Sequence, residues 1–421
     1  MRYSDLFRKA VALLLPALFL IACSVPGEEE AAPRADNETD RTEVYSVDLA
    51  AAAKAPTGAE TDETFLAAVT DFSETLFQKC ARKGENLILS PLSVTYALTL
   101  TANGASGETL EEFNTLNSGI DVSQMNEYLF QSALRLASSR ESKVNISNSI
   151  WADKGFAINE QFKWIAQQYY NASAANADFS GDAADIINQW VSDKTDGMID
   201  KAMESISPNT VMILVNTVLF DGVWEKPYPE YLVYEGTFHN YDGTESPVEM
   251  MYSYELSYFT VDGYTGFSKA YLDGYRFIAI LPDEGADVYE FAANFDWNTA
   301  IDTALNGSHD RADCTIPKFT YESELPLTEI LQDMGLKRAF ASDAELNGLA
   351  AGEGDGLSIS SVNQKAKIIL NESGTKAAAY TEVAIEECEY PSIRFDRPFL
   401  YAIVEGETGL PLFIGILATM G

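Results

Sequence analysis

Positive charge is scarce in this chain: 28 lysines and arginines stand against 64 aspartates and glutamates, a formal net charge of −36. Such a surface repels phosphate backbones and anionic headgroups, which argues against nucleic acid or acidic lipid as a partner surface. Histidine is nearly missing, with only His239 and His309. Nothing in the sequence orients either one, so a cysteine–histidine hydrolase has no support, and no enzyme activity is expected. A calcium loop fares no better. Asp343, Glu345, Asn347 and Gly348 imitate its opening, but its twelfth position is Gly354 rather than glutamate. No metal and no cofactor is expected. Cysteine is also sparse. Setting Cys23 aside leaves Cys80, Cys314 and Cys388, an odd number, so at least one thiol is free unless it pairs between molecules. No repeat of fixed period is visible.

With 421 residues and 46% apolar composition, the chain can bury a large core without disulfide or metal staples. The beginning stands apart. Arg2, Arg8 and Lys9 precede an apolar run from Ala10 to Leu20, too short to span a bilayer as a mature helix, and together they read as a secretory signal. The run ends Leu20-Ile21-Ala22-Cys23, which resembles the bacterial lipoprotein signal, in which the cysteine is acylated and becomes the new N-terminus. The resemblance implies an exported protein lipid-anchored through Cys23 to the outer face of a bacterial membrane. From Ser24 to Glu63, Ala, Glu, Asp, Thr and Pro dominate, so this stretch cannot bury enough surface to fold alone. As a flexible tether it would reach about 35 Å. The expected division is residues 1–22 signal, 23–63 lipidated cysteine and tether, and 64–421 folded domain.

Within the folded part, Phe65, Val69, Phe72 and Leu76 form a helical stripe that Cys80 continues, so Cys80 reads as core. Asn86–Ser90 follows, and Pro91 then opens an apolar helix running to Gly104, with Ser90 and Ser93 available to cap it. Two more helices lead to a strand at Val144–Ala152, and helical patterns return at Glu160–Tyr170 and Ala183–Thr195. Val211–Phe220 is apolar on both faces apart from Asn216 and Thr217, as in a strand covered on both sides. An amide at Asn216 then needs buried partners. Further strands are predicted at Phe277–Leu281, Ile316–Phe319, Ile359–Leu370, Phe399–Val404 and Leu410–Leu417, and a helix at Leu325–Met334. Cys314, in the strand-like Asp313–Ile316, reads as structural. Early helices and late strands favour one large α+β domain.

Leu370–Glu387 carries the strongest functional signal. After Gly374 the chain alternates with period two: Thr375, Ala377, Ala379, Thr381, Val383 and Ile385 are small or apolar, while their neighbours are mostly polar. That is a strand able to bury one face. It runs into Cys388, Glu389, Tyr390 and Pro391, a polar, proline-ended stretch suited to an exposed loop. A loop that is competent to become a strand suggests a conformational switch.

Four separated segments now carry a family resemblance: Asn86–Gly107, Asn216–Tyr228, Leu370–Thr381 and Phe395–Gly415. In that order they resemble the serpins over essentially all of Thr64–Gly421. The resemblance implies three β-sheets, eight or nine helices and an exposed reactive-centre loop offered to a protease as bait. It implies an irreversible inhibitor of serine or cysteine endopeptidases, a monomer whose cut loop inserts into the main sheet and drags the acylated protease along. A non-inhibitory member serving as a surface binding or structural protein is the alternative.

Residue by residue, the resemblance makes Glu372 the hinge glutamate and Lys318 its partner at the top of the sheet, with Trp224 in the same region. It makes Gly374, Thr375, Ala377, Ala379 and Thr381 the hinge, and Ser90, Ser93 and Asn216 a polar cluster beneath the opening point. A cap, a core amide and a packed indole would look the same in sequence. The family's usual histidine in that cluster falls at Gln364, which cannot titrate near neutral pH. Ser373 and Tyr380 also depart from the usual hinge. The loop length usual in inhibitory members of the resembled family implies a cleaved bond at Cys388–Glu389, with Glu387–Cys388 the neighbouring choice. A medium, uncharged side chain at Cys388 suits elastase-like serine proteases or papain-like cysteine proteases.

Overall fold

A computed structural model describes residues 14–24, 44–45, 56–352, 356–372 and 390–420. Two N-terminal pieces are strands, β1 (Leu14–Ser24) and β2 (Val44–Tyr45). Helix α1 (Glu63–Cys80) begins where the Asp62 carboxylate accepts a hydrogen bond from the Phe65 amide, and it turns Phe65, Val69, Phe72, Leu76 and Cys80 inward. After β3 (Leu87–Leu89) comes α2 (Pro91–Ala102), with Pro91 in its first turn and the Ser90 hydroxyl accepting from the Ser93 amide. Every residue of α2 is buried, so this helix is the axle of the domain.

Helices α3 (Gly107–Leu116) and α4 (Val122–Ala137) lead to β4 (Lys143–Asp153), α5 (Glu160–Tyr170), β5 (Ser173–Ala177), α6 (Ala183–Lys194) and β6 (Thr210–Asp221). Strands β7 (Val233–His239), β8 (Glu245–Val261), β9 (Tyr264–Ala270) and β10 (Tyr275–Pro282) follow. Next come α7 (Val288–Ala292), α8 (Trp297–Asn306), β11 (Asp310–Pro317), β12 (Phe319–Pro326) and α9 (Thr328–Asp333). The chain closes with β13 (Ser358–Leu370), β14 (Ser392–Arg394), β15 (Phe399–Glu405) and β16 (Pro411–Leu417).

Most predicted elements form within a residue or two of their expected ends. The helix expected at Leu325–Met334 is shorter, because Leu325 and Pro326 complete the ladder of β12 opposite Gln364 and Asn363 of β13. Strands β7 to β9 were not visible as separate units. In β8 the half-buried Tyr252 and Tyr254 alternate with the buried polar Ser253 and Glu255, and β9 buries Ser268 and Lys269, which blurs a hydrophobic period.

The strands form two hydrogen-bonded sheets among the described residues. The central one runs β12-β13-β1-β6-β4-β5-β2. The other runs β14-β11-β8-β9-β10-β15-β16-β3, with β7 also on β8. The 17-residue β8 joins its two arms: β8 pairs with β7 and β11 along its earlier part and with β9 at its end, past a register shift near Glu255. The two arms account for the second and third sheets of the expected architecture. One core fills the space between the sheets and around α2, and a smaller one lies between the central sheet and α6.

Strand β1 sits in the middle of the central sheet, antiparallel to both β6 and β13. A strand with ladders on both edges has no solvent-facing edge to hold charge, and Leu14–Ser24 contains no charged residue. The sequence alone set residues 1–22 apart from the folded part. In this structure Leu14–Ser24 is built into it. At the far edge, Val44–Tyr45, from the acidic stretch, pairs with Ala175 and Ala174 of β5.

Candidate functional site at the head of the central sheet

The end of β13 is held by a clamp built from three directions. The Trp224 indole Nε1 donates to the Asn371 carbonyl at 3.0 Å. The Tyr228 amide donates to the Glu372 carbonyl at 3.1 Å. Lys318 Nζ lies 2.8 Å from a Glu372 carboxylate oxygen and 3.3 Å from Glu249. Burial pushes the Lys318 ammonium down, but the two carboxylates outweigh it and hold the group above its usual range. Lys318, Glu372 and Trp224, singled out from sequence, are thus brought together.

Trp224 is fixed by aromatic packing. It stacks on Tyr271 with ring centroids 4.0 Å apart and planes 7° apart, and meets Tyr228 and Phe277 edge-on. Beneath it lies a buried ion pair, Lys269 Nζ to Glu255 at 2.6 Å, with the Ser253 hydroxyl donating to the same carboxylate oxygen at 2.6 Å. The Lys269 ammonium also sits 4.3 Å from the centre of the Tyr228 ring and 5.7 Å from that of Trp224. Burial, with Glu255 adding to it, holds the Tyr228 phenol well above its ordinary range and keeps it neutral. Tyr228, Ser253, Glu255, Lys269 and Tyr271 were missed in the sequence. Lys269 and Glu255 carried one legible signal, a charge on the inward parity of an otherwise packed strand.

Further down the sheet lies a second polar cluster. The Ser93 hydroxyl donates to Asn216 Oδ1 at 2.5 Å, and Asn216 Nδ2 donates to Asn148 Oδ1 at 2.8 Å. Gln364 ties the other side: its Oε1 accepts from the Ser90 amide at 3.0 Å, and its Nε2 donates to the Ser90 carbonyl at 2.8 Å. All five residues are buried. The structure therefore joins Ser90, Ser93, Asn216 and Gln364 into one network and adds Asn148, whose own amide donates to the Tyr170 carbonyl. Phe19 of β1 stands in register between the two halves, opposite Asn216 on one side and Gln364 on the other.

Asn216→Ala is expected to destabilise the chain by about 2–4 kcal/mol, since it strands a buried hydroxyl and a buried amide at once. The shift of the urea midpoint at unchanged slope measures it.

Gly374, Thr375, Ala377, Ala379, Thr381, Cys388 and Glu389 lie outside the described residues. Cys80 and Cys314 are buried core thiols. Cys23 is buried as well, and burial pushes its thiol up to about 12. Among the described residues no cluster of His, Cys, Asp and Glu could hold a metal ion, and no helix is long and apolar enough to cross a membrane. The acidic residues of the calcium-like stretch have protein partners: Asp343 faces Arg338, and Glu345 accepts from the Thr109 amide.

Comparison with known proteins agrees with this geometry. Residues 67–419 match the family described as serpin (serine protease inhibitor). Alpha-1-antiproteinase of Callosciurus caniceps is 30% identical over 363 residues, covering 82% of this chain and 87% of that protein. The crystal structure of a thermophilic serpin, tengpin, in its native state superposes with a TM-score of 0.79 at 35% identity, covering 86% of this chain and 96% of the other. Thyroxine-binding globulin in complex with thyroxine superposes with a TM-score of 0.75 at 25% identity, covering 84% and 98%.

Proposed function

Since the chain belongs to the serpin family, we propose that it is an irreversible, suicide-substrate inhibitor of serine or cysteine endopeptidases. The protease's hydroxyl or thiolate attacks the carbonyl of Cys388, and the amine of Glu389 departs with the C-terminal fragment. The acyl-enzyme then stays attached to Cys388 while the freed hinge strand enters the central sheet. Water completes hydrolysis only if insertion is slower than deacylation.

One observation carries this reading. The position between β6 and β13 accepts a full strand antiparallel to both, as β1 demonstrates. A strand returning from the end of β13 must run in that same direction. With Asn371–Gly374 as the connection, Thr375, Ala377, Ala379, Thr381 and Val383 fall opposite Leu370, Ile368, Ala366, Gln364 and Val362. Those five β13 residues are the buried, core-facing ones, and directly paired residues share a face. Once inserted, the inward set of the loop would therefore meet the core, with Thr381 beside the polar cluster. Thr375–Ile385 would extend about 36 Å at roughly 3.3 Å per residue, enough to carry an attached enzyme across the domain. Its ladder bonds and buried face would contribute on the order of 10 kcal/mol.

In this reading the partner is an elastase-like serine protease or a papain-like cysteine protease, and the chain acts as an exported monomer anchored through lipid on Cys23. The test is a panel of such proteases mixed with the chain lacking residues 1–22, whose removal leaves the family-matching region 67–419 intact. A denaturant-resistant adduct supports inhibition; a cut loop beside fully active protease contradicts it. The second reading, a non-inhibitory surface binding or structural protein, draws on the likeness to thyroxine-binding globulin and predicts that second outcome.

A further inference from the structure

Strand β1 fills the one position in the central sheet that trapping needs vacant. It makes eleven register pairs with β6, from Leu14 opposite Asp221 to Ser24 opposite Thr210, and is laddered to β13 along its other edge. Leu20 belongs to the small core under α6, with Trp151, Ile187, Val191 and Val215. Ile21 and Cys23 point the other way, into the main core, and are fully buried. The Ser360 hydroxyl closes the lower end by donating to the Ala22 carbonyl at 2.9 Å.

We propose that the N-terminal segment Leu14–Ser24 is an intramolecular occupant of the central-sheet slot, which keeps the unprocessed chain unable to trap a protease until the segment leaves. The proposal rests on the trapping reading above. Two strands cannot share one pair of ladder edges, so a loop cut while β1 is seated has nowhere to insert, and its acyl-enzyme is hydrolysed. A cut before Cys23 would remove all of β1 except Cys23 and Ser24, and so open the slot. The same apolar residues would then serve export and, before export, restraint. The exchange also has a preferred direction. Pro16, opposite Leu219, has no N–H for the ladder. Thr375–Ile385 contains no proline, so it forms the more complete ladder once the slot is free.

The test uses the full, unprocessed chain. Iodoacetamide is added under native conditions, and modification of each cysteine is followed by peptide mass spectrometry. Cys23 is expected to react as slowly as the core thiols Cys80 and Cys314; reaction about tenfold faster or more overturns the proposal. A second arm uses the full chain carrying Leu20→Asp and Ile21→Asp, which should expose Cys23 and bind a synthetic peptide of the Thr375–Ile385 sequence. The wild-type full chain should bind that peptide at least about tenfold more weakly. Equal peptide binding by the two chains overturns the proposal. If the variant does not fold, the wild-type thiol measurement decides alone. Neither readout involves a protease, so failure of the chain lacking residues 1–22 to inhibit would count against the trapping reading and leave the occupancy result readable.

Discussion

Replacing Thr375 by arginine should turn the chain lacking residues 1–22 from a trap into a substrate. In the proposed inserted register, residue 375 would lie opposite the buried Leu370, on the core face. An arginine there must desolvate a guanidinium on the buried face, at a cost of several kcal/mol during insertion. Deacylation of the protease is unaffected by that change, so the race shifts by about tenfold for each 1.4 kcal/mol added to the insertion barrier. Adduct yield should fall by about tenfold or more while the loop is still cut at the same bond. Ala379→Arg, deeper in the slot opposite Ala366, should do at least as much. The control is Lys376→Arg on the opposite parity, expected to leave adduct yield unchanged. If Thr375→Arg and Ala379→Arg both leave the yield intact, insertion along this face is wrong.

On the proposed trapping reading, Cys388→Arg should redirect inhibition to another class of protease. A protease reads the residue before the cut bond through a shaped pocket, and a trypsin-like pocket holds a carboxylate that needs a cationic partner. The uncharged Cys388 side chain offers none. The substitution is expected to raise the rate of adduct formation with trypsin by about a hundredfold or more, and to lower it with elastase-like enzymes, as large polar mismatches in such pockets do. Sequencing the released C-terminal fragment identifies the bond in the same experiment. A fragment beginning at Glu389 fits the assignment. One beginning at Cys388 moves the cut to Glu387–Cys388, and Cys388→Arg would then have little effect on trypsin.

The parts of this account that came from sequence are those where local chemistry and tertiary demand coincide. Pro91 after Ser90 started a helix because a cap and a pre-set φ act within one turn, and Val211–Phe220 announced a doubly covered strand by being apolar on both faces. The cluster of Ser90, Ser93, Asn216 and Gln364 is spread over a separation of 274 residues, so its assembly came from the family pattern and not from local spacing. The head-of-sheet clamp was half legible. Lys318, Glu372 and Trp224 were found through the same resemblance, whereas the Lys269–Glu255 pair beneath them, 14 residues apart in sequence, meets only through the register of the β8–β9 hairpin, and those two strands were not separated in the sequence.

The N-terminal run shows the limit most clearly. An apolar stretch of about ten residues suits an export signal and a buried central strand equally well, since both require the absence of charge on every face. Periodicity does not separate them. What separates them is the presence of two waiting edges, β6 and β13, and these exist only after the rest of the domain has folded.

The central claim is that a protease is captured covalently at the cut loop. The most direct measurement is the intact mass of the denatured product formed from the chain lacking residues 1–22 and an elastase-like or papain-like protease. The account predicts one new species whose mass equals the protease plus the chain truncated after Cys388, joined with loss of water, together with a free fragment from Glu389 to Gly421. A mixture containing only the truncated chain, the free fragment and protease of unchanged mass and full activity would contradict it.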